Sequence, residues 1–190
     1  MTPRVTVVTT EASQLTLQSA VLRRTLHDGD VTRHPESHYL DFVVDGRTLS
    51  DRLPGARGMA TALNRAWLPT VAGAIEELLG QRPSLGLDPG RVFLFVCGEC
   101  GDLGCGAITA ALRVGPNRVT WSQLAWENGS EPAEPVGNAP DVLSFDIANY
   151  EDVLAGAYKR IAALPYDQLA HQGRKFLWPW QLGWRLPKSD

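Results

Sequence analysis

The sequence predicts a single α+β domain over residues 1–190: mostly antiparallel sheet, two main helices and an irregular tryptophan-rich C-terminal arm. Three observations predict it. Apolar residues alternate with polar ones on either side of Gly115-Pro116-Asn117, which is a hairpin pattern. Two other stretches, 69–80 and 149–164, repeat their apolar residues at helical spacing. The order is strands, helix, strands, helix, without the regular strand–helix alternation of a parallel sheet.

Residues 1–50 read as strands. Val5, Val7 and Val8 form one β-branched run, Leu15, Leu17 and Ala20 to Leu22 a second, and Tyr39 to Val44 a third that Asp45-Gly46 ends as a turn. A linker with Pro54, Gly55 and Gly58 spans 51–58. Thr61 to Trp67 has helical composition, but Pro69 would cost a helix interior about 3 kcal/mol. Pro69 therefore belongs in the first turn of a new helix over 69–80, with Val71, Ile75, Leu78 and Leu79 on one face and Gly80 as its stop. A loop follows over 82–90.

Residues 91–126 hold a strand, a cysteine turn and a hairpin. Val92 to Val96 is a continuous apolar run, as in a strand buried on both faces. Residues 127–140 form a polar, proline-bearing loop, and Val142 to Phe145 adds a short strand. The helix over 149–164 places Tyr150, Val153, Leu154, Ala157, Ile161 and Leu164 on one face, with Asn149 as its expected N-cap and Pro165 as its end. The arm over 165–190 carries Phe176, Trp178, Trp180 and Trp184, an apolar surface expected to dock on the protein's own body.

Composition narrows the function classes. Hydrophobic residues make up 44% and charged residues 21%, which excludes a largely disordered chain. The formal net charge of -3 speaks against a nucleic-acid binder that needs a broad basic face. No apolar run reaches the roughly 20 residues of a membrane helix, and the start lacks the pattern of a secretion signal. Three cysteines cannot all pair within one chain, so the expected compartment is the cytoplasm. A protein partner or self-association is compatible with the aromatic and basic residues of the arm.

The chemistry concentrates in Cys97-Gly98-Glu99-Cys100-Gly101-Asp102-Leu103-Gly104-Cys105-Gly106. Two thiolates at the Cys97–Cys100 spacing can meet one tetrahedral ion if the turn between them is tight, and Cys105 can fold back as a third. The glycines allow positive φ and let backbone N–H groups approach sulfur. Zinc is the expected metal, with Cys97, Cys100 and Cys105 as ligands. Asp102, His34, His38 and His171 are candidates for a fourth. The same pair has the spacing of a dithiol redox site, although the glycines after Cys100 break the helix such sites require. Inert, structural thiols are the third reading.

This cysteine block, with the hairpin ending Val119-Thr120-Trp121-Ser122 and then Trp126-Glu127, resembles an uncharacterised family of small bacterial proteins common in actinobacteria. Its members carry a similar Cys-Gly-Asp-Leu-Gly-Cys-Gly-Ala block, a tryptophan-bearing strand and a short helix with a tyrosine near its start, a position Tyr150 matches. The resemblance covers roughly residues 92–164. It implies relatives without a mechanism, since the family has no assigned activity beyond an occasional generic oxidoreductase label.

His34 and His38 stand four apart, but Pro35 interrupts any helix between them, and a surface loop is expected. Asn128-Gly129-Ser130 reads as a turn. Phosphate-loop, dinucleotide, serine-elbow and His-Glu-x-x-His motifs are missing. The expected function is an accessory or binding protein with a zinc-binding cysteine turn. The alternative is a thiol-dependent oxidoreductase or a zinc-dependent enzyme using the same cysteines.

Overall fold

The computed structural model describes residues 11–171 apart from Gly29. The expected strand at Val5–Val8 and the arm's tryptophans lie outside the described residues. Within them the chain is an α+β domain with mostly antiparallel sheet and two main helical segments.

Strand β1 (Leu15–Arg23) pairs along its length with β4 (Glu36–Val44), and β4 pairs in turn with β5 (Arg47–Thr48). Between β1 and β4 lies a small hairpin of β2 (Leu26–Asp28) and β3 (Val31–Arg33). Asp45 and Gly46 both take positive φ, as a two-residue hairpin turn requires. His38 lies within β4 rather than in a loop, because the strand begins immediately after Pro35. A short helix, α1 (Leu49–Arg52), enters the expected linker.

The larger sheet has the order β10-β9-β8-β7-β6. Here β6 is Met59–Ala60, β7 Arg91–Cys97, β8 Ala107–Val114, β9 Arg118–Glu127 and β10 Glu134–Pro135. Strand β11 (Val142–Asp146) pairs with the other part of the free edge of β9. Helix α2 (Leu68–Leu78) carries Pro69 in its first turn. The last helical segment is two pieces, α3 (Ile147–Ala155) and α4 (Ala157–Ala162), which meet at Gly156.

Two local expectations fail for tertiary reasons. Thr61–Asn64 is irregular, not helical, and Asn64 is extended. The Leu40 amide donates to the Leu63 carbonyl at 2.9 Å, and the Thr61 hydroxyl donates to the Leu40 carbonyl at 2.6 Å, which ties this segment to β4. Only a 3-10 turn at Arg65–Trp67 remains, capped by Asn64. The N-cap of α3 is Asp146, whose Oδ1 accepts from the Asn149 amide at 3.1 Å. Asn149 instead accepts from the Leu15 amide and so ties α3 to β1.

The core lies between the inner faces of the two sheets, with α2, α3 and α4 closing it. Leu15 and Leu17 of β1 stand opposite Val44 and Phe42 of β4, and all four are buried. Phe42 meets the Trp121 ring edge-on at 5.0 Å, and Trp121 meets Phe145 at 4.9 Å. The Trp121 indole N–H donates to the Tyr150 hydroxyl at 3.1 Å, and that hydroxyl donates to the Leu78 carbonyl at 2.9 Å. Both polar tips in the apolar centre are therefore satisfied.

Candidate metal centre

Strand β7 delivers Cys97 at its C-terminal end, opposite Met59 of β6. The chain then turns tightly, and the Gly101 amide donates to the Cys97 carbonyl at 2.8 Å. Gly101 has a φ of 65° and Gly106 a φ of 97° with ψ 147°, positive-φ backbone that disfavours residues other than glycine. Between them, Leu103–Cys105 form a 3-10 turn. Its N-cap is Asp102, which is buried and whose Oδ1 accepts from the Gly104 amide at 2.7 Å. Asp102 thus shapes the turn that returns Cys105, and its carboxylate is engaged there rather than with the sulfurs. An Asx residue opening a glycine-rich turn is the sequence signal for that role.

Two glycines are required by close neighbours. A Cβ on Gly98 would lie 2.1 Å from the Leu22 side chain and 2.9 Å from the Gly58 carbonyl oxygen. A Cβ on Gly106 would lie 1.9 Å from the Trp126 ring. Leu22 and Trp126 therefore brace the turn from the two sheets, a role that spacing along the sequence does not reveal.

The outcome is convergence of three thiols. The Sγ atoms of Cys97, Cys100 and Cys105 all lie within 4.8 Å of one another, and those of Cys100 and Cys105 are 3.4 Å apart. Zinc–sulfur bonds of about 2.3 Å set sulfur–sulfur edges of about 3.8 Å in a tetrahedron, so this spacing suits one ion with little movement. Cys97 and Cys100 are half-buried and Cys105 is exposed. All three are free thiols.

The electrostatics of the pair differ. Burial pushes the Cys97 thiol up, but the amides of Cys100 and Glu99 and the two neighbouring thiols donate to its sulfur and hold it below the ordinary thiol range. Burial pushes Cys100 up to about 12; the Asp102 amide opposes this, while Cys105 and Cys97 add to it. Beside the turn, Arg24 approaches Glu99 at 3.7 Å and donates to the Ala170 carbonyl at 2.8 Å.

No histidine or carboxylate among the described residues joins the three sulfurs at that spacing. His34 faces the Thr25 hydroxyl at 3.4 Å, and His38 faces Glu36 at 3.4 Å. The side chain of His171 lies outside the described residues. No helix among the described residues is long and apolar enough to cross a membrane. No family model, no curated protein and no solved structure matches the chain.

Proposed function

We propose that the protein is an accessory or binding protein whose Cys97, Cys100 and Cys105 hold one zinc ion that clamps the turn between β7 and β8. The observation that carries this reading is the mutual approach of the three sulfur atoms within 4.8 Å. Three thiolates leave one position of a tetrahedral ion to water or to a further donor. The ion would join the end of β7 to the start of β8. The rest of the domain has its own core, so loss of metal loosens the turn without unfolding the chain. Free thiols in an odd number fit a reducing, cytoplasmic compartment. The cysteine block further supports kinship with the actinobacterial family it resembles.

The test is elemental analysis beside a thiol count on protein purified without chelator. About one zinc per chain, with thiols that react only after chelation, is the expected result. Metal-free protein with all its cysteines freely titratable overturns the reading. The second reading, a thiol-dependent oxidoreductase, is favoured by the 3.4 Å approach of Cys100 and Cys105, which sets a resolving thiol beside the Cys97–Cys100 pair. A disulfide among these residues in material alkylated directly from quenched cells would select it.

A further inference from the structure

A second feature lies outside the cysteine cluster. Helix α2, β7 and the loop after α2 enclose a cleft of about 330 Å³, at the lower end of the roughly 300–1,000 Å³ of small-molecule sites. Trp67, Leu85, Phe93 and Leu103 give it an apolar lining. Its ionisable lining residues are one acid, Glu77, and one base, Arg82. The cysteine sulfurs do not line it, although Gly101 and Leu103 of the cysteine turn form part of its wall.

The two charges are held but not consumed. Glu77 Oε2 accepts from the Ser84 hydroxyl at 2.9 Å, while Oε1 lies 3.7 Å from Arg82 Nε. Arg82 Nη1 lies 3.6 Å from Glu76. Both ion pairs are longer than direct hydrogen bonds, so Glu77 keeps acceptor capacity and Arg82 keeps donor capacity. The guanidinium lies against α2 at Gly73, where a Cβ would stand 2.8 Å from Arg82 Nη1. Burial raises the Glu77 carboxyl above its ordinary range, with the Ser84 hydroxyl and Arg82 opposing, so an incoming cation would be welcome to its ionised form.

We propose that this cleft binds a free α-amino acid with an apolar side chain. A lone cation would leave the spare donors of Arg82 unused, and a lone anion would meet the Glu77 carboxylate. A molecule that carries an ammonium and a carboxylate on one carbon meets both, the ammonium at Glu77 and the carboxylate at Arg82. Its side chain then lies against Trp67, Leu85, Phe93 and Leu103.

The test is calorimetric titration of the full chain with L-leucine and L-phenylalanine. It is repeated with 4-methylpentanoate, which is leucine without its ammonium, and isoamylamine, which is leucine without its carboxylate. Saturable binding of at least one amino acid is expected, weakened about tenfold or more in each analogue. Glu77→Gln should abolish the preference for leucine over 4-methylpentanoate, and Arg82→Gln the preference over isoamylamine. Ala74→Trp, which fills the cleft, should abolish all binding, with melting curves confirming that each variant is folded. Amide and indole shifts on the wild-type chain should centre on Trp67 and Ala74, which keeps the test decisive if a variant fails to fold. No saturable signal up to roughly 10 mM, equal affinity for an analogue, or shifts centred elsewhere would overturn the proposal.

Discussion

Around Trp121, each neighbour comes from a distant part of the chain, whereas around Cys100 the shape arises almost wholly within residues 97–106. Trp121 is walled by Phe42 of β4, Phe145 of β11 and Tyr150 of α3, and its one polar atom is hydrogen-bonded. The cysteine turn relies on amide-to-carbonyl bonds, an aspartate cap and positive-φ glycines, with side chains such as Leu22, Arg24 and Trp126 meeting it from outside. Burial of a large aromatic removes far more apolar area from water than a glycine-rich turn can. Stability therefore concentrates in the first region and chemistry in the second, and perturbations of the two should separate.

The largest expected effect is at the core. Trp121→Ala should cost on the order of 3–5 kcal/mol, and it also leaves the Tyr150 hydroxyl without its donor. Urea denaturation measures this; a loss under about 1 kcal/mol would mean that the aromatic cluster is not the centre of stability.

Gly106→Ala probes the place where the regions touch. The new methyl meets the Trp126 ring at a backbone φ of 97°, so a destabilisation of about 1–3 kcal/mol is expected. Because the same backbone aims Cys105, zinc stoichiometry should fall with it. Retained zinc together with full stability would show that the turn adapts more freely than its geometry implies.

Asp41 offers a pH-dependent contrast inside β4. It is buried, its Oδ2 accepts from the Ser50 hydroxyl, and its Oδ1 has no hydrogen-bond partner. Burial raises its folded-state carboxyl above the ordinary range, with the Ser50 bond pulling the other way. The folded state thus holds the proton more tightly than the unfolded chain. Asp41 accordingly weakens the fold as pH rises from about 3.9 through its folded value, and the full penalty is present above that value. Asp41→Asn cannot ionise. Its stability relative to the wild type should move in the variant's favour as pH rises above roughly 4, read from paired urea midpoints. A difference that stays flat, or runs the other way, would remove Asp41 from the account.

The smallest stability effect belongs to the exposed thiol. Cys105→Ser in metal-free protein should change stability by no more than about 0.5 kcal/mol while abolishing zinc retention through dialysis. A large fall in metal-free stability would instead assign the turn to the core.

What the sequence by itself determined were the features encoded within a few neighbouring residues. The alternation of Ile108–Val114 and Val119–Trp121 specified the β8–β9 hairpin, Asp45-Gly46 the turn between β4 and β5, and Pro69 the start of α2. The gathering of Cys97, Cys100 and Cys105 into one glycine-rich stretch marked the candidate centre, because short loops close at little entropic cost. Tertiary structure decided the rest. Hydrogen bonds to β4 hold Thr61–Asn64 out of a helix against its composition, and Asn149 leaves the cap of α3 to Asp146 because it serves β1. The bracing of Gly98 and Gly106 by Leu22 and Trp126 depends on how separate elements pack. Such contacts join residues whose separation along the chain carries no periodic signature, so only the folded arrangement brings them into register.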